Sequence, residues 1–222
     1  MDKSLILAGI SGICWTIVYI ECIRLGFKQK TYAMPFWALA LNIAWETVHT
    51  ILGYKIEGMS VQIGFNAVWC LFDIGILYTY FKYGQKDFPK FLSRNIFIFW
   101  SILALIVSYI LQYFFVEEFG LVKGGSYSAF LQNLIMSILF IAMFIQRRGS
   151  EGQNLTIAIN KFIGTLTPTI LVGVVGLPAF GKPNLFILVI GIMVAIFDLI
   201  YIAMLLMKDK VKFEIEEKLG SQ

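Results

Sequence analysis

Seven apolar stretches of about twenty residues each run through this chain, and a water-soluble fold has no way to bury them all. They cover approximately 5–26, 33–53, 60–82, 95–116, 127–146, 155–176 and 185–207. A bilayer core about 30 Å thick is crossed by about 20 residues of helix. In lipid each backbone N–H and C=O must find a partner within the protein, which a helix supplies by itself. Only 14% of the 222 residues are charged, against about a quarter in soluble domains. The expected fold is an all-α membrane protein: a bundle of seven transmembrane helices over 1–207, followed by an amphipathic tail over 208–222 on the inner membrane surface. The first stretch runs on to Glu21 without a small-residue cleavage site, so it reads as a permanent span.

Fourteen of the eighteen Lys and Arg residues fall beside the 1–2, 3–4 and 5–6 connections and in the tail, with Lys161 counted among them. Lys3, Lys55, Lys123 and Lys182 fall on the other side. The positive-inside rule then places the N-terminus outside and the C-terminus in the cytoplasm. These cations cluster at helix ends, where snorkelling and anionic lipid headgroups account for them; no basic stripe interleaved with aromatics points to nucleic acid. Cys14, Cys22 and Cys70 lie inside apolar segments without metal-ligand spacing, and a single histidine rules out a His-rich zinc site. These residues point to no metal site.

Acidic residues are the exception within the spans. Glu46, Asp73 and Asp198 lie deep in spans two, three and seven. An acid at that depth costs about 2.5–3.5 kcal/mol on insertion scales, so each calls for a use. Glu21 lies near the end of span one with Arg24 at i+3, the spacing of an ion pair. In span two Asn42, Trp45, Glu46 and His49 share one helical face; in span three Asn66, Trp69, Cys70 and Asp73 repeat the spacing; in span seven Asp198 and Tyr201 share a face. Helical rise puts Asp73 and Asp198 about 15 Å from one end of the bundle and Glu46 about 21 Å from it, so the three acids are expected to converge. His49 reads as a packing or interfacial histidine. Ser101, Ser108 and Gln112 form a stripe in span four, and Gln132 and Asn133 sit in span five, as helix-to-helix hydrogen bonds or substrate contacts. Pro168 should kink span six.

With no Lys or Arg at their depth, Glu46 and Asp198 are expected to be uncharged at neutral pH, hence proton donors. The chain holds 20 Phe, 10 Tyr and 5 Trp, whose ring faces stabilise cations without reacting as bases. A buried acid inside aromatic walls suits carbocation chemistry on a lipid that enters from the bilayer.

The segment Leu41-Asn42-Ile43-Ala44-Trp45-Glu46 resembles the Trp-Glu helix of the integral-membrane terpene cyclases of fungal meroterpenoid and indole-diterpene biosynthesis, the paxilline and pyripyropene type, and of their bacterial relatives. Trp69-Cys70-Leu71-Phe72-Asp73 is similar to that family's third-helix pattern, and Asp198 resembles its second acid. Gln132-Asn133, Arg147, Gly152-Gln153 and Gly164-Thr165 follow in the family's order. The resemblance implies an acid-initiated, class II-type cyclase that protonates a terminal epoxide or alkene of a prenylated substrate, with ring closure through successive cations, proton loss at the end and no metal or organic cofactor. It implies Glu46 and Asp198 as the essential acids; the polar stripes add Asp73 as a third catalytic acid and place Asn42, Trp45, Trp69, Asn66, Tyr201 and Gln132 around the substrate. The competing reading is a proton-coupled transporter of a small lipid or metabolite, which should show an internal repeat; only short echoes join spans two, three and seven. A retinal-type receptor would need a lysine within span seven, and none precedes Lys208 there.

Overall fold

Each apolar stretch has become one helix. The computed structural model describes residues 3–220, with α1 Lys3–Gln29, α2 Phe36–Glu57, α3 Val61–Tyr83, α4 Arg94–Phe119, α5 Leu121–Gln146, α6 Leu155–Ile170 and α7 Leu185–Gly220. Starts are marked by short polar side chains. Ser60, Ser93 and Asn154 accept hydrogen bonds from the backbone N–H three residues on, at 3.3, 3.4 and 3.0 Å. Between α4 and α5 only Gly120 intervenes, at φ +77°, a conformation side chains resist. Just beyond it, a Cβ on Gly124 would lie 2.2 Å from the Phe115 carbonyl oxygen, so that hairpin closes only on a residue without a side chain.

Among the described residues, six of the seven helices are long and apolar enough to cross a membrane. The exception is α2, which is long enough but carries Asn42, Glu46 and His49 on one face. Its place in the bundle explains the difference. Contacts run α1–α3–α2–α4–α5–α7–α6 and back to α1, and α2 also touches α5 across this ring. Ala38, Leu39, Ala40, Asn42, Ala44 and Glu46 of α2 are buried, whereas Ile13, Leu71, Phe99, Phe114 and Met207 stand exposed on the outside of other helices.

The two halves of the bundle are built differently. Toward the end that carries the 1–2, 3–4 and 5–6 connections, Cys22, Leu25, Met34, Leu39, Ile76, Phe97, Phe140, Ile157 and Leu205 pack into a solid core. That end is tied across its loops by Arg147, which donates to Asp87 Oδ2 at 2.7 and 3.2 Å, to the Tyr32 carbonyl at 2.9 Å and to the Glu151 carbonyl at 2.8 Å, with its guanidinium over the Tyr32 ring. The other half is hollow.

Pro168 stands in the last turn of α6, which passes directly into a π-turn at Leu171–Val175, an irregularity of the kind that accompanies helix kinks. The tail continues the last helix, since α7 runs unbroken through Met207 to Gly220. The side chains of 210–222, on which the amphipathic reading of the tail rests, lie outside the described residues.

Candidate active site

Small residues make the hollow. Gly12, Gly53, Gly125 and Ala129 face inward from α1, α2 and α5, and with the turn after Pro168 they leave a cavity of about 380 Å³. It reaches from the α2–α3 and α4–α5 turns down to a floor formed by Tyr19, Asn42, Glu46 and Gln132. Trp15, Trp45, Phe65 and Trp69 give it aromatic walls. The indole N–H of Trp45 donates to the Gly125 carbonyl at 2.9 Å and that of Trp69 to Thr16 Oγ1 at 3.1 Å, so each ring is held in place by its one polar atom.

Of the residues singled out in the sequence, Asn42, Trp45, Glu46, Asn66, Trp69 and Gln132 line this cavity together. Asn66 accepts a hydrogen bond from Gln62 Nε2 at 2.8 Å near the mouth. Asp73 sits behind the floor, fully buried, one turn below Trp69 on α3. It faces Glu46 closely enough for the two carboxyls to interact directly. Glu46 Oε2 and both Asp73 oxygens have no hydrogen-bond partner when both groups are drawn as carboxylates, which only accept. A hydrogen shared between two carboxyls would pair two of these three oxygens. Neither acid is part of an ion pair among the described residues.

Glu46 Oε1 is the end of a chain of side-chain donors. Gln112 Nε2 donates to Gln132 Oε1 at 2.8 Å, Gln132 Nε2 to Asn42 Oδ1 at 3.0 Å, Asn42 Nδ2 to Tyr19 Oη at 3.0 Å, and Tyr19 Oη to Glu46 Oε1 at 2.5 Å. The chain crosses from α4 through α5, α2 and α1, and all its members are buried.

Asp198 and Tyr201 do not join them, so the expectation that they face the same chamber as Glu46 is not met. Lys161 Nζ lies 2.7 Å from Asp198 Oδ1, 3.0 Å from Oδ2 and 2.6 Å from Ser137 Oγ, a fully buried cluster tying α5, α6 and α7 in the packed half. The premise that Asp198 has no cation at its depth is therefore wrong, and with it the expectation that it is uncharged for lack of a partner. Lys161, counted in the sequence with the loop cations, points into the protein. Tyr201 donates to Gln153 Oε1 at 2.8 Å and packs on Phe140, away from the cavity.

His49 does pack, as its position suggested. Its ring stacks on Trp45 and its Nδ1 lies 2.8 Å from the Trp45 carbonyl, although it also borders the cavity. Glu21 pairs with Arg24 at 2.6 Å, as the i+3 spacing implied. Tyr19 was missed. Its signal was the inward stripe Ser11, Trp15, Tyr19, Cys22 at intervals of four, four and three, which an apolar span hides because aromatics cost nothing in lipid.

Comparison with known proteins agrees with this architecture. The chain is 29% identical over 160 residues to the Pyr4-family terpene cyclase mfmH of Annulohypoxylon moriforme, covering 70% of this chain and 64% of that protein. It is 28% identical over 170 residues to terpene cyclase ascF of Acremonium egyptiacum (70% and 61%), and 24% identical over 167 residues to terpene cyclase penB of Penicillium crustosum (69% and 63%). The matched stretch thus spans just under two thirds of the length of these curated relatives. No solved structure matches. The family model for Pyr4-like transmembrane terpene cyclases matches residues 3–210, nearly the whole chain, and the protein belongs to that family.

Proposed function

We propose that this protein is a membrane terpene cyclase whose Glu46, backed by Asp73, protonates the terminal epoxide or alkene of a prenylated substrate. The observation that carries the reading is the placement of Glu46: on the floor of an aromatic-walled cavity, facing a second carboxyl and away from any cation. Two interacting carboxyls buried without a cation share a hydrogen, because ionising both is costly. On an epoxide, the transferred proton goes to the ring oxygen, the C–O bond breaks toward the more substituted carbon, and the cation is captured by the next alkene of the chain. On an alkene, the proton adds to carbon and leaves the same kind of cation. In either case proton loss from a neighbouring carbon ends the reaction, so substrate and product have equal mass. Trp15, Trp45 and Trp69 present faces that stabilise the intermediate cations. Asn42, Asn66 and Gln132 hold the substrate's polar atoms.

Asp198 remains in this reading as the second acid implied by the family resemblance, held on Lys161 outside the cavity lining. The reading includes seven spans, with α2 crossing the bilayer shielded by its neighbours. It places the N-terminus outside, the helical tail in the cytoplasm, and the cavity mouth on the outer side. A transporter would need a route to the opposite end, which the packed core and the Arg147 network occupy.

The test uses membranes carrying the wild-type protein or Glu46→Gln, incubated with prenylated indoles and quinones, epoxidised and not. Wild type yields a cyclised product of unchanged mass and Glu46→Gln yields none. Equal product from both overturns the assignment.

A further inference from the structure

The donor chain fixes more than the position of Glu46. Asn42 Oδ1 is occupied by the Gln132 amide at 3.0 Å, so Asn42 turns its NH₂ toward Tyr19. A phenol has one hydrogen, and it cannot be given to an NH₂ group that is itself donating. The Tyr19 hydrogen therefore goes to Glu46 Oε1, at 2.5 Å. Trp15, Trp69 and Phe72 surround the Tyr19 ring with centroids 6.0 to 6.3 Å away, and the side chain is buried, so the phenol is held in this orientation.

We propose that Tyr19 is a positioning residue that decides which oxygen of Glu46 carries the acidic hydrogen. With Oε1 committed as an acceptor, the hydrogen sits on Oε2, the oxygen that otherwise lacks a partner. When that hydrogen leaves, the negative charge left on Glu46 already faces a fixed O–H donor that has no need to reorient. A donor aimed in advance at developing charge lowers the barrier without adding to substrate affinity. The proposal rests on the reading of Glu46 as the proton donor and adds to it a residue that the family resemblance did not supply.

The experiment is infrared spectroscopy of purified, reconstituted protein, following the carbonyl stretch of protonated carboxylic acids. Four proteins are compared: wild type, Glu46→Gln, Tyr19→Phe and Tyr80→Phe. Tyr80 is the control, a buried tyrosine outside the cavity whose hydroxyl pairs with Ser101 at 3.0 Å. Glu46→Gln removes one band. Tyr19→Phe moves that band to higher frequency, because the carbonyl oxygen loses its donor, and Tyr80→Phe leaves it in place. A band unmoved by Tyr19→Phe, or the lack of any band that Glu46→Gln removes, overturns the proposal. On whichever prenylated substrate wild type converts, Tyr19→Phe lowers kcat by about 10²-fold. KM stays within about two-fold. A change confined to KM overturns the positioning role. Failure of wild type to cyclise any prenylated indole or quinone counts against the terpene cyclase reading alone, since the band shift still decides the part assigned to Tyr19.

Discussion

The bundle buries acids in two places, and the two are built on opposite plans. In the hollow half Glu46 and Asp73 face each other without a cation, one on the cavity floor and one just behind it. In the packed half Asp198 is paired with Lys161, which also donates to Ser137. An acid paired with a buried lysine has both oxygens occupied and is held between helices. An acid satisfied by another acid holds a hydrogen that has an alternative place to go. The same residue type thus ties helices together in one half and, in the proposed reading, supplies a transferable proton in the other, and the difference lies in the partner rather than in depth.

The comparison breaks first at Glu46. Replacing it with Gln keeps the size and the hydrogen bond from Tyr19 but removes the proton, so cyclisation should fall by about 10²–10⁴-fold, the range for loss of a general acid. The thermal midpoint of the protein in detergent should stay unchanged. A normal turnover rate would reduce the hollow-half pair to packing.

Asp198→Asn should fail in a different way. It leaves a buried ammonium without its counter-charge, which costs about 3–5 kcal/mol of stability, and activity is lost together with the fold. The double variant Lys161→Met, Asp198→Leu removes both charges and should recover most of that stability, as measured by thermal unfolding. If Asp198→Asn is as stable as wild type, the ion pair is not what ties α5, α6 and α7, and Asp198 returns as a candidate for direct chemistry.

Asp73→Asn is the intermediate case. The amide can still donate to Glu46, but it can neither take nor return a proton. Turnover should drop by about 10-fold or more, with little change in stability. Wild-type kinetics would show that Glu46 works without its neighbour.

These distinctions were only partly legible in the sequence. The seven helices and the inward stripes of α2 and α3 follow from the 3.6-residue period, and Asn42, Trp45, Glu46, Asn66 and Trp69 share one cavity for that reason. Gln132 is there because α2 touches α5 across the ring, a contact that no periodicity announces. Lys161 was hidden by bookkeeping along the chain. It lies in the second turn of α6, close enough to the loop to be counted there, yet its side chain turns inward and spans from α6 to α7. Asp198 was read by its depth, and depth says nothing about which neighbour meets a side chain. Tyr19 was hidden for the opposite reason: its cost in lipid is small, so nothing in the composition of α1 drew attention to its hydroxyl.

The smallest expected effect lies at the far end of the donor chain. Gln112 is buried in α4, gives its NH₂ to Gln132 at 2.8 Å, and has an Oε1 with no partner. Gln112→Met has nearly the same shape. It deletes an unsatisfied acceptor, which favours folding, and leaves Gln132 Oε1 without its donor, which disfavours it. The two changes should nearly cancel, within about 1 kcal/mol. Gln132 still donates to Asn42, so the order of donors that reaches Glu46 survives, and activity should fall by no more than about three-fold. A loss as large as that of Asp73→Asn would mean that the chain acts as one cooperative unit. The hollow-half site would then be held as firmly as the ion pair, and the contrast between the two halves would rest on the mobility of the proton alone.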